Sequence, residues 1–413
     1  MGWDAIRIVR PLCGRAIAAV GMLALLAPAA RPADEVEQEL AWKARRFDRV
    51  VRQYHLRDGG LVAGAVRLPF EPDADEHDEN GAYLTGAYLA ALSFQFAATG
   101  EQAARDQAER CFRVLQKLVA VTGQPGLLAR WCKRASAPSP GENDGWLKDD
   151  WHQAGEYRWL GNPSTDQYCG ALFGLAIYHD LAAGEQVRPE VEALVGDMVG
   201  RILDAGMVIT DADGKPTTWS DMSPQGLQEP MYALMALGFL RIAAEVTGRE
   251  RFAREYERLL HEQDYARRAL PVNRITSDWN YSDDVMAWEM LYHLLRLEQR
   301  PKEKAKLQVA AAKAWSLVEG QKRVLFDIVR SVTTADAALG RQAIRQLYLM
   351  PAEQVRVDHH RRSNPPADLN LRPPSWFQWV DDPYTSIVGW QYAGVDYLLA
   401  YWMARYHGLV AGP

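Results

Sequence analysis

Five segments of this chain, residues 81–98, 166–183, 226–246, 283–298 and 384–406, are apolar on nearly every face. The first four are each followed, after a short turn, by a segment charged on one face: 102–121, 189–205, 250–266 and 302–319. A helix apolar all round must be buried all round, whereas a helix with one charged stripe belongs between such a core and water. The pattern therefore predicts inner helices sheathed by outer ones. The inner-to-outer turns are tight (Thr99-Gly100, Ala183-Gly184, Thr247-Gly248, Arg300-Pro301), and most return connections are long. In an up-down array, all the long loops then emerge on one face.

An amphipathic helix over 37–55 opens the chain, and two helices linked around Thr333-Thr334 fill 322–350. About eleven or twelve helices result, with no sustained β pattern. The expected fold class is all-α, an (α/α)6 toroid whose sixth hairpin forms if helix 37–55 closes against the last helix. An α-solenoid is the alternative, but aromatic loops of unequal length on one face suit a closed funnel better than an open superhelix.

The long loops share a composition. Residues 144–170 set Trp146, Trp151 and Trp159 among acids and amides, then run through Ser164-Thr165 into the helix opening at Asp166. Trp219 lies in the loop 210–224, Trp279 in 271–282, and Trp376 and Trp379 in 364–382. Exposed aromatics beside hydrogen-bonding groups match a pyranose, which offers apolar faces for stacking and hydroxyls for bonding. Asp150, Tyr168 and Asp284 are the polar partners this reading selects. The expected partner is a carbohydrate.

The first 29 residues differ. Arg7, Arg10 and Arg15 precede the apolar run Ala16 to Ala27, and Ala27-Pro28-Ala29 has the form of a signal-peptidase site. The expectation is a signal peptide over 1–29, a single toroid domain over 30–413, and a periplasmic or secreted product. No later stretch approaches the roughly 20 uncharged residues of a membrane span. Residues 1–29 carry three Arg and one Asp, net +2, so their loss takes the formal charge from −6 to −8. That balance argues against nucleic acid as a partner. Cys111, Cys132 and Cys169 fit no zinc spacing and read as buried thiols; Asp211-x-Asp213-Gly lacks the closing Glu of a calcium loop. Neither a metal nor a cofactor is called for.

His77-Asp78-Glu79-Asn80-Gly81, followed by an apolar helix, Thr99-Gly100 and a charged helix, resembles the His-Asp-x-Gly segment of the unsaturated glucuronyl hydrolases, in the six-hairpin glycosidase superfamily, with one extra residue before the glycine. Asp166 falls where those enzymes place a second essential Asp. Their Arg-Gly-Gln-Ala-Trp segment has no counterpart here, the nearest stretch being Gly389-Trp390-Gln391-Tyr392. The resemblance implies a glycosidase with Asp78 and Asp166 as its catalytic carboxylates.

Glycosidic bonds are cleaved with one carboxyl donating a proton and another activating water or attacking carbon. Asp78 sits among Asp73, Asp75, Glu76 and Glu79, whose negative charge favours the protonated acid. Asp166, at the positive end of a helix, suits the ionised base. Each has a plainer reading, Asp166 and Asp284 as helix caps and 73–79 as a solvated acidic loop. Three functions stay open: a glycoside hydrolase, a polysaccharide lyase or epimerase on a similar toroid, and a non-catalytic glycan-binding protein.

Overall fold

The computed structural model describes residues 33–67, 76–77, 79–136, 147, 149–269, 281–319, 323–350, 352, 355–356 and 390–411. In chain order, α1 (Ala33–Val50) precedes the antiparallel pairs α2 (Gly81–Thr99) with α3 (Gln102–Ala120) and α4 (Thr165–Leu181) with α5 (Arg188–Asp204). Next come α6 (Tyr232–Thr247) with α7 (Glu250–Glu257), a π-helical turn Arg258–Glu262 and the short α8 (Tyr265–Arg268). Then follow α9 (Tyr281–Leu297) with α10 (Pro301–Val318), α11 (Val324–Thr334) with α12 (Ala337–Leu349), and α13 (Val395–Tyr406).

Among the described residues α2, α4, α6, α9, α11 and α13 form a ring, each packed on the next and α13 on α2. The outer layer is α3, α5, α7, α10, α12 and α1, and α1 packs on both α12 and α13. This is the all-α toroid. Lys43 of α1, almost fully buried, reaches the carbonyls at the end of α12, Tyr348 at 2.5 Å and Met350 at 2.8 Å. Tyr397 of α13 donates to the Leu40 carbonyl of α1 at 3.1 Å. The first helix thus closes the ring against the last.

The sequence explains the layering. All residues of α2 from Gly81 to Phe94 and of α4 from Gln167 to Tyr178 are buried, as their uniform apolarity requires. Glycines bring these two helices into backbone contact. A Cβ on Gly86 would stand 2.0 Å from the Gly170 carbonyl oxygen, and one on Gly174 would stand 2.1 Å from that of Gly86. The Thr-Gly turns are one device used twice: Gly100 (φ +73°) and Gly248 (φ +65°) take the left-handed cap conformation. Thr99 and Thr247 then accept the amides of Glu101 and Arg249.

Three details differ from the sequence expectation. The apolar stretch 226–246 becomes helical only at Tyr232, and the final helix only at Val395. Trp390–Tyr392 is instead a strand, paired with Ala65–Arg67, which also pairs with Glu76–His77. Short sheets do exist: Trp131–Arg134, Tyr157–Leu160 and Trp151–Ala154 form a three-stranded antiparallel sheet, and Val208–Thr210 pairs with Pro216–Asp221 in a hairpin. Strands of two to six residues carry too little alternation to read from sequence.

Candidate active site at the mouth of the toroid

The organising residue is one that the sequence did not single out. Arg130 precedes the strand Trp131–Arg134 and is 2% exposed. Its guanidinium donates to the carbonyls of Asn162 at 2.7 Å and Glu79 at 3.1 Å and to Ser164 Oγ at 2.8 Å. Its own carbonyl accepts the amide of Ala82, in the first turn of α2, at 2.9 Å. One buried cation therefore binds the openings of α2 and α4 together. Burial pulls its pKa down, and Asp166, Glu79, Asp150 and Asp211 act against that pull. A buried guanidinium persists only with such compensation.

Asp166, partly exposed, lies in the first turn of α4. One carboxylate oxygen accepts from Ser164 Oγ and from the Gln167 amide, the latter at 3.0 Å. The cap of the helix is Ser164 rather than Asp166. Gln167 accepts the Ser164 amide at 2.9 Å and donates to Asn80 Oδ1 at 2.9 Å, which ties the segment before α2 to α4. Asp150, also partly exposed, accepts from Asn162 Nδ2 at 3.1 Å. Asp211 accepts the Asn162 amide at 2.7 Å. Three carboxylates from three chain segments thus converge around Arg130.

Below this rim, Glu289 of α9 is buried at the meeting of α2, α4 and α9. Tyr83 Oη donates to it at 2.8 Å and Cys169 Sγ at 3.5 Å. Burial pushes its pKa up to about 7, and the two donors pull it back only in part.

Of the sequence-selected residues, Asp150 and Asp166 come together here, and Trp151 follows Asp150 at the start of the strand Trp151–Ala154. Trp151 carries Lys133 Nζ 4.5 Å from its ring centroid. Trp219 is 49% exposed on the hairpin beside Thr218, which bonds Asn162. Three others are not surface groups, and this corrects their selection as contact residues. Trp159 is buried and stacked on His152 with centroids 4.2 Å apart. Tyr168 is buried, with its hydroxyl spent on the Gly126 carbonyl and the Leu128 amide. Asp284 is 1% exposed within α9. Asp78, Trp146, Trp279, Trp376 and Trp379 lie outside the described residues.

The Asp211–Gly214 stretch is a hairpin turn, with Asp213 accepting from the Lys215 amide and ammonium at 2.9 and 2.6 Å. Among the described residues no cluster of His, Cys, Asp and Glu is arranged to hold a metal ion, and no helix is long and apolar enough to cross a membrane. Cys111, Cys132 and Cys169 are free and buried.

The all-α toroid is shared with several solved structures. A sugar epimerase from a ruminal bacterium superposes with a TM-score of 0.55 at 13% identity, covering 90% of this chain and 98% of the epimerase. A GH76 α-mannanase from Bacteroides thetaiotaomicron gives 0.50 at 9% identity, covering 89% of this chain and 95% of its own. A family 76 glycoside hydrolase from a bovine strain of that species gives 0.50 at 8%, covering 89% and 77%. No family model and no curated protein sequence matches the chain. At these identities the likeness describes the fold.

Proposed function

We propose that this protein is an exported carbohydrate-active enzyme, a glycoside hydrolase that works by carboxylate acid/base catalysis at the mouth of the toroid. The observation that carries the reading is the convergence of Asp150, Asp166 and Asp211 around buried Arg130 where α2 and α4 open. Carboxylates fixed beside a positive helix end are equipped to activate water or accept sugar hydroxyls. In this reading Asp166 is the base and Asp78, on the segment that opens α2, is the acid. Trp151, Trp219 and Asp150 contact the saccharide. The structural neighbours include two family 76 glycoside hydrolases and a sugar epimerase, so both chemistries occur on toroids of this shape. Residues 30–413 would form the single mature domain, released after loss of 1–29.

The test is a panel of polysaccharides assayed for new reducing ends, for products absorbing in the ultraviolet, and for epimerised sugars. Hydrolysis predicts reducing ends alone. Asp166→Asn and Asp78→Asn should each lower turnover on the order of 100-fold or more while glycan binding persists. Ultraviolet-absorbing products would reassign the mouth to a lyase, and binding without turnover to a glycan receptor.

A further inference from the structure

Among the described residues of this mouth, Asn162 bonds to the most separate parts of it. Its backbone takes a left-handed conformation at φ +50°, unusual for a residue other than glycine. Its carbonyl accepts from Arg130 Nε and its amide donates to Asp211 Oδ2, each at 2.7 Å. Its side-chain amide donates to Asp150 Oδ2 and to Thr218 Oγ1, each at 3.1 Å, and accepts the Thr218 amide at 3.0 Å. The preceding Gly161 leaves no room for alternatives, because a Cβ there would stand 2.8 Å from His152 Nε2 and 3.1 Å from both Asp211 oxygens. The chain is thus pressed against Asp211, and the side chain of Asn162 projects between the Asp150 loop and the hairpin of Pro216–Asp221.

A strained conformation held by five hydrogen bonds is costly to maintain and persists where the surroundings over-determine it. The bonds divide into two sets. The Thr218 contacts cover the open edge of the hairpin, a role completed by Gln228, which accepts the Ser220 and Asp221 amides at 2.8 and 2.9 Å. The Asp150 contact fixes one carboxylate oxygen and thereby the direction in which the other faces. We infer that Asn162 is the positioning residue of this mouth: it holds the 208–221 hairpin in place and orients Asp150 toward the saccharide beside Asp166. The inference rests on the reading of the mouth as a glycosidase site, which it refines by giving Asp150 a fixed orientation.

Two substitutions separate the two sets of bonds. Asn162→Gly keeps the left-handed backbone and removes every side-chain bond. Asn162→Asp keeps an oxygen for the Thr218 amide but removes the donor to Asp150. Hydrogen exchange on the intact protein needs no ligand. Amides of the hairpin should exchange at least about tenfold faster in Asn162→Gly and stay protected in Asn162→Asp. The Gly161 amide, bonded to the Asp150 carbonyl at 2.8 Å, should exchange faster in both. With whichever of yeast mannan, xylan, pectin and chondroitin the wild type cleaves, kcat should fall about tenfold in both variants. Neither should lower it further in an Asp150→Asn background, because residues acting through one another are non-additive. Wild-type exchange in Asn162→Gly, or losses that multiply with Asp150→Asn, would overturn the assignment. Inactivity of the wild type on all four polysaccharides would instead count against the glycosidase reading, with the exchange result still deciding the role of Asn162.

Discussion

Replacement of Glu289 by glutamine should make the toroid's stability less sensitive to a rise from acidic to neutral pH. The carboxyl lies where three inner helices meet, and its pKa is raised from an ordinary 4.5 to about 7 by burial. As pH rises past 4.5 the unfolded carboxyl loses its proton while the folded one retains it until about pH 7. The unfolded state then binds fewer protons, so stability falls through that window and levels off above it. A shift of this size corresponds to about 3 kcal/mol. With an unfolding entropy near 2 cal/mol/K per residue, a 413-residue chain would lose about 3–4 °C of Tm. The amide introduced by Glu289→Gln can still accept from Tyr83 and never ionises. Thermal unfolding of both proteins at pH 5 and pH 8 isolates the effect, since every other titrating group is common to the two. The Tm difference, variant minus wild type, should rise by about 3 °C between the two pH values, because the unfolded carboxyl is already partly ionised at pH 5. A difference independent of pH would show that Glu289 is ionised throughout, and the account of its burial would be wrong.

Other expectations follow from the packing. Gly86→Ala places a Cβ 2.0 Å from a backbone oxygen that no rotamer change can move, so it should destabilise by about 2 kcal/mol or more, despite alanine's better helix propensity; a Tm at or above wild type would refute the close α2–α4 contact. Lys43→Met removes the donor to two carbonyls at the end of α12 and should cost about 1–3 kcal/mol, seen as lowered Tm and faster exchange in α12. The mature chain should begin close to Arg31; sequencing of exported protein checks this, and recovery of intact Met1 outside the cytoplasm would exclude it.

The ring was legible because its inner helices are apolar on all faces, a condition that only complete burial satisfies. The sixth inner helix, α11, escaped that test because it is short and reads as amphipathic, with its partner α12 close behind. At the mouth, the helix start at Ser164-Thr165 with Asp166 in its first turn was legible from the sequence. Trp159 and Tyr168 were misread because the loop that presents aromatics to solvent must also seal the helix ends beneath it, and composition does not separate the two tasks. Arg130 does leave a signal, a lone cation between Leu127-Leu128-Ala129 and Trp131 in a run otherwise fit only for burial. Asn162 left none, since its role depends on a backbone angle and on Thr218, fifty-six residues later.

The bonds that close the ring also set an order of events. Lys43 meets Met350 across 307 residues of sequence, and Tyr397 meets Leu40 across 357. Contacts so distant in the chain form late, because the entropy of closing the long loop must be overcome before they reward it. While synthesis proceeds from the amino end, the apolar side of α1 has no partner until nearly the whole polypeptide has emerged, whereas α2 and α4 can already pair through their glycines. Before those contacts form, the inner helices make an open arc with one apolar rim. Such a state is prone to aggregation and open to chaperones.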